Sequence, residues 1–245
     1  VNEETEDMML DSSELRLEAL ITIMDKELDD VLIDLYEDNK IPFALLTYGH
    51  GTAKSRIYEM LGYGGPMKIV SISINTNKMS NFIMNKLNEE IDLSRPGTGI
   101  VFTVSLSSIS GVLSEICRKV NENIEIGSED MNVTAKKPYQ LIMAVVNSGH
   151  FEKVMEAAKD AGANGGTLVH ARSLGSKEAA KYLGITVQPE KDLVMILAPQ
   201  EKRLAIMDSI ITATGLNTEA MGSCFSLPVN SIMGMEAALD NFDEL

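Results

Sequence analysis

Tryptophan is missing from this chain, and aromatic residues make up only 5% of its 245 positions. A core must therefore be built from Leu, Ile, Val, Met and Ala. The 44% hydrophobic and 23% charged content is that of a globular protein, long enough for one large domain or two ordinary ones. There are two cysteines, Cys117 and Cys224, and neither belongs to a C-x-x-C pair or a Cys/His cluster. That excludes a disulfide framework and a zinc signature, and predicts small buried hydrophobes in a reducing compartment. No apolar run reaches the ~18 residues of a membrane span, and no basic segment followed by an apolar one opens the chain. The expected location is the cytoplasm. Basic residues are scarce, 21 against 36 acidic, for a net charge of −15. Such a surface repels nucleic acid and anionic membrane, so neither is an expected partner, and its plain consequence is solubility.

Catalytic and phosphate-cradle motifs are also lacking. The glycines of "DAGANGGTLVHARSLGS" (160–176) precede a strand instead of opening a helix, and no Gly-Lys-Ser/Thr occurs. Gly165 and Gly166 fit a tight helix-to-strand turn. The three histidines, His50, His150 and His170, have no Ser or Cys placed beside them by sequence, and surface or core roles outweigh catalysis for each. The acidic stretches "GSEDMN" and "ALDNFDEL" lack calcium-loop spacing, so no metal site is expected.

What the chain does have is a repeat. Leu61-Gly62 and Leu183-Gly184 stand 122 residues apart, and Val70 and Ile72 lie 124 residues before Val194 and Ile196. Met84 and Met207, Phe102 and Phe225, and Ser108-Ile109 with Gly111 and Ser231-Ile232 with Gly234 are each separated by 123. The period is too long for a solenoid of ~20–50-residue units, so each copy reads as a small domain. "LEALITIM" and "YQLIMAVV" read as buried strands. A helix follows each, with apolar residues at Leu28, Val31, Leu32 and Leu35 ending near Asn39, and at Phe151, Val154, Met155 and Ala158 with Ser148 as cap and Gly162 as stop. "FALLTYG" and "GTLVHAR", then "MKIVSISI" and "DLVMILA", supply two more strands. A second helix carries Ile83, Met84 and Leu87, or Ile206, Met207 and Ile210 before Gly215, and "GIVFTVSL" or "SCFSLPV" closes the copy. The predicted fold is α+β, two tandem ferredoxin-like β-α-β-β-α-β domains. Residues 1–14 form an acidic tail, 15–120 copy one, 121–137 a polar linker after an amphipathic stretch at Leu113, Ile116 and Val120, and 138–245 copy two.

With that order in hand, "AGANGGTLVHARSLGS", "LGITVQPEKDLVMIL" and "MGSCFSLPVNSIMG" of copy two, answered by "TYGHGTAKS", "LGYGGPMKIVSIS" and "RPGTGIVFTVSLSSISG" of copy one, resemble the PII nitrogen-regulatory signal proteins, in their divergent PII-like branch. The resemblance implies a trimer of ferredoxin-like domains with sheets facing inward, a projecting loop that touches target proteins, and adenine nucleotide in clefts between units. It implies a regulator and not an enzyme, acting on a transporter or metabolic enzyme of nitrogen or carbon supply. Carried over by residue, Thr167 and Ile196 would face adenine, and Gly175 would let backbone approach phosphate with Arg172 as a nearby charge. Gly222, with Gly97 and Gly99 in copy one, would stand on the phosphate loop.

The departures count as well. Ile100 and Ser223 occupy positions where nitrogen-sensing members carry a phosphate-neutralising lysine, and neither "SSISGVLSE" nor "NSIMGMEAA" holds an arginine. Each missing charge-assisted contact is worth ~1.5–3 kcal/mol, so AMP, ADP, a small anion or no ligand is expected ahead of ATP. Copy one places Phe43-Ala44-Leu45 where copy two has Gly-Gly-Thr, which marks its adenine side as degenerate. The projecting loops hold Tyr58, Tyr63 and Tyr182, for which ring packing is favoured over modification. The competing functions are an oligomeric scaffold without ligand and, last, an enzyme using His50 or His170. In "TLVHA" both faces carry apolar residues, and an uncovered sheet face would drive association. The expectation is a homo-oligomer, a trimer ahead of a dimer.

Overall fold

The computed structural model describes residues 16–52, 66–95, 97–122, 138–172 and 190–235. The acidic tail, both projecting loops with their tyrosines and Gly175, all of the linker beyond residue 122, "GSEDMN" and "ALDNFDEL" lie outside the described residues. The elements in chain order are β1 (Leu17–Asp25), α1 (Asp29–Asp38), β2 (Ala44–Gly51), β3 (Met67–Thr76), α2 (Asn77–Ile91), β4 (Gly99–Ser105) and α3 (Gly111–Glu122). Then come β5 (Tyr139–Asn147), α4 (Phe151–Asp160), β6 (Thr167–Arg172), β7 (Glu190–Pro199), α5 (Arg203–Thr214), β8 (Ser223–Val229) and β9 (Ile232–Met233). The order β-α-β-β-α-β stands in both halves, and the fold is a ferredoxin-like α+β arrangement of antiparallel strands and helices.

The chain divides into two compact units. Unit 1 comprises 1–47, 69–136 and 229–245, and unit 2 comprises 48–68 and 137–228. In unit 1 the strand order is β3-β1-β4-β9. β1 runs antiparallel to β4 with Ile21 opposite Phe102, and Phe102 is opposite Ile232 of β9. Strand alternation sends Leu20 and Met24 toward the helices, where they pack with Leu32, Leu35, Ile83, Met84 and Leu87. Helix α2 starts at a Thr76 cap, whose Oγ1 accepts the Met79 N–H at 3.2 Å. The amphipathic stretch is the helix α3, but Cys117 is its buried residue, while Ile116 is 42% exposed. β9 was not foreseen. Its two residues give too short an alternation to register as a strand, and only pairing with β4 defines it.

In unit 2 the order is β8-β5-β7-β6, with the end of β2 beyond β6. β7 pairs antiparallel with both β5 and β6, setting Thr167 opposite Met195 and His170 opposite Asp192. Ile142, Ala144, Val146, Val194, Ile196 and Ala198 face α4 and α5 and pack on Val154, Met155, Ala158, Ile206 and Ile210. Ser148 does not cap α4. The N-cap is His150, with no side-chain cap bond, because Gly149 (φ +90) turns the chain between them. The other face of this sheet was expected to be uncovered. Leu141, Val169, Met195 and Leu197 alternate onto it, and all four are buried within the single chain.

Candidate functional site at the loop end of unit 2

Strands β5 and β6 end, and β7 begins, at the same edge of unit 2, and their polar residues collect there. Asn147, the last residue of β5, is buried and fully engaged. Its backbone N–H donates to the Ala220 carbonyl at 2.8 Å, and its Nδ2 donates to the Glu219 carbonyl at 2.9 Å. Its Oδ1 accepts from Lys191 Nζ at 2.5 Å. Asn147 thereby ties the turn before β8 to the start of β7. Partial burial lowers the Lys191 ammonium pKa from its ordinary value, since the charged form loses water.

Beside it, the Asp192 side chain is 2% exposed. A buried carboxylate needs donors, and it has two. Oδ2 accepts the Gly149 N–H at 3.0 Å, and Oδ1 lies 3.0 Å from His170 Nδ1. An ionised carboxylate only accepts, so Nδ1 carries the proton and donates. The His170 side chain is 66% exposed, and its ring stands 6.2 Å from that of His50 in an edge-on arrangement. Arg172, opposite Glu190, completes this end of the sheet.

The sequence-derived site residues distribute unevenly over this geometry. Arg172 and Gly222 lie at the loop end, Arg172 exposed. Gly222 donates its N–H to the Thr214 carbonyl at 2.7 Å and bridges Gly215 in parallel fashion. Thr167 is buried at the far end of β6, five residues from Arg172, or ~17 Å at strand rise. Ile196 is fully buried in the helix-side core. Its neighbour Met195 is opposite Thr167, so alternation puts the Thr167 and Ile196 side chains on opposite faces. The two residues expected to face one adenine ring do not share a surface, and Ile196 serves the core. In unit 1, Gly97 (φ +86) has open space where a side chain would start, and Gly99 opens β4 against Met24.

Asn147, Lys191 and Asp192 do not stand out in the sequence, which offers His50 and His170 singly and without these partners. Strand alternation in the sequence assigns each a face, but their meeting depends on register between strands, which no local pattern specifies. Gly166 is placed as a tight approach. A side chain there would meet Ile196, Met155 and the Met195 carbonyl at 3.0 Å, and its N–H donates to Thr52 Oγ1 at 2.6 Å.

Residues 139–237 match the family described as Nitrogen regulatory protein P-II. That span begins with β5 and ends beyond β9, so it takes in the whole ferredoxin-like β-α-β-β-α-β order of the second half. This chain is similar to that family through its second half. No curated protein matches the chain. Among solved structures, Arabidopsis thaliana PII bound to citrate is similar at 19% identity and a TM-score of 0.30, over 39% of this chain and 78% of that one. A Bacillus cereus protein related to NIF3 is similar at 12% identity and a TM-score of 0.29, over 46% of this chain and 36% of that one. Among the described residues no helix is long and apolar enough to cross a membrane.

Proposed function

We propose that this chain is a cytoplasmic sensor of a small metabolite that regulates a partner protein, a transporter or metabolic enzyme of nitrogen or carbon supply, and is not itself a catalyst. The observation that carries the reading is the P-II match over residues 139–237, which coincides with the complete β-α-β-β-α-β order of the second half. The ligand is an adenine nucleotide, AMP or ADP ahead of ATP, or a small anion. Its phosphate end takes the loop edge of unit 2, near Arg172, Gly175 and the turn before Ser223. The fully buried Ile196 is only a wall behind such a site. Gly97 and Gly99 mark the matching loop of the first half, whose ligand-binding capacity is weaker.

Calorimetric titration of the purified chain with AMP, ADP, ATP and cyclic AMP tests this. Binding of at least one is expected. Thr167→Val should weaken it by ~1–3 kcal/mol if the hydroxyl serves the ring, and Ser223→Lys should shift preference toward ATP by ten-fold or more through one charge-assisted contact. An unchanged ATP:AMP ratio in Ser223→Lys would remove the phosphates from this turn. The alternative, a scaffold without ligand, is favoured by the backbone bond that already occupies Gly222, and flat titrations with all four nucleotides would establish it.

A further inference from the structure

We propose that His50 and His170 together form a binding site for one divalent transition-metal ion, with Asp192 as the residue that orients His170. The register makes the pair. β2 runs antiparallel to β6 with His50 opposite Leu168. Directly opposed residues share a face, and so do residues two apart on one strand, so His50 and His170 are diagonal neighbours on one face of the sheet. Their rings stand 6.2 Å apart, edge-on.

Three observations give this pair the chemistry of a ligand set. Asp192 fixes the tautomer. Its buried carboxylate holds the proton at His170 Nδ1, 3.0 Å away, which leaves the Nε2 lone pair as the available donor. A carboxylate behind a ligating imidazole raises its basicity and sets its orientation. The carboxylate is itself anchored by the Gly149 N–H at 3.0 Å, so the support is rigid. The His170 side chain is 66% exposed, so an ion reaches it from solvent. With metal–nitrogen bonds of ~2.0–2.1 Å, two imidazoles on a tetrahedral ion stand about 5 Å apart. Closing from 6.2 Å requires a tilt of rings whose terminal torsions are soft.

Among the described residues no three His, Cys, Asp or Glu side chains are placed to hold one ion together, and Asp192 stands behind His170 instead of facing the ion. The protein thus supplies two ligands, and water or an exchangeable anion fills the remaining positions. Imidazole selects copper, nickel and zinc over magnesium and calcium, and the order of affinity follows as copper above nickel and zinc. The cysteines do not compete. Burial pushes the Cys224 thiol up to about 11 and raises that of Cys117, so both stay protonated at neutral pH. Metal binding here does not require a nucleotide, although His170 stands two residues from Arg172 on β6.

The experiment is titration of the full chain, free of any histidine tag, with copper(II) and zinc(II) in excess magnesium, followed by calorimetry and, for copper, by electron paramagnetic resonance. One ion per chain is expected, with nitrogen hyperfine structure from two imidazoles. His50→Gln and His170→Gln should each lower affinity ten-fold or more, while His150→Gln leaves it unchanged. Asp192→Asn should lower it about 10- to 100-fold. His170→Gln also takes one donor from the buried Asp192, so circular dichroism checks that each variant is folded, and His50→Gln, which leaves that bond in place, tests the site separately. No stoichiometric binding at sub-millimolar metal, or affinity unchanged in either His50→Gln or His170→Gln, would overturn the proposal.

Discussion

Glu18 is the least comfortable residue of unit 1. It lies in β1 at 5% exposure, on the side of the sheet that α2 covers. Desolvation raises its carboxyl pKa above the ordinary 4.5, against the pull of the neighbouring Ser80, Asn230 and Thr103 side chains. Asn230 Nδ2 reaches it at 3.4 Å, while the Ser80 and Thr103 hydroxyls are buried without a completed hydrogen bond. A carboxyl whose folded pKa is raised binds its proton more tightly in the folded state. Stability is therefore lost as pH climbs from 4.5 through the raised value, and the full penalty stands at neutral pH. Glu18→Gln should raise the melting temperature at pH 7 and have little effect below pH 4.5, where both forms are neutral. Thermal melts across that window check it, and an equal gain at both ends would assign the effect to shape instead of charge. Position 18 could be placed on a buried strand from "LEALITIM", but its helix-side burial could not. Likewise His170 could be placed on a strand by alternation, whereas its carboxylate partner is 22 residues away on β7 and is delivered only by the register.

Helices and strands with long apolar periods were the legible elements. α1 and α2 bury Leu32, Leu35, Ile83, Met84 and Leu87 as their 3.6-residue spacing requires. β5 and β7 read as buried runs because both of their faces carry apolar residues. Turns were less legible, since a glycine reports several constraints with one letter. Gly222 was read for its place on a phosphate loop. Its actual constraint is packing, because a Cβ there would collide with the Thr214 carbonyl and come within 2.9 Å of Val146 Cγ1. The first of these is backbone that cannot swing away, and the turn is already closed by the 2.7 Å bond from Gly222 N–H to the same carbonyl. Gly222→Ala should destabilise the chain by about 1–3 kcal/mol in the absence of any ligand. Urea unfolding measures this. A wild-type midpoint in the variant, combined with weakened nucleotide binding, would return Gly222 to a ligand role.

At the scale of the molecule, the two halves share an element order and a set of matched residues, while the P-II match covers only 139–237. A tandem duplication whose first copy has diverged further is our proposal for this pattern. Its assembly is the remaining prediction. An uncovered apolar sheet face would favour a ring of chains. Leu141 is 1% exposed and Met195 5%. We base the prediction of a homo-oligomer on the resemblance of residues 139–237 to the P-II family. Exposed apolar residues do remain elsewhere, with Leu204 at 61% and Leu216 at 55%, but single exposed side chains are ordinary on soluble proteins and do not require a partner. Two copies per chain also do not divide into three, so a closed ring of three sheets would have to mix copies from different chains. A trimer would have a mass of about 80 kDa against 26.7 kDa for one chain, a difference that light scattering resolves at micromolar concentration. A mass of three chains is the expected outcome from the family. A single-chain mass would mean that one chain completes the fold alone, and any nucleotide binding that persisted in it would then belong to a site within one chain.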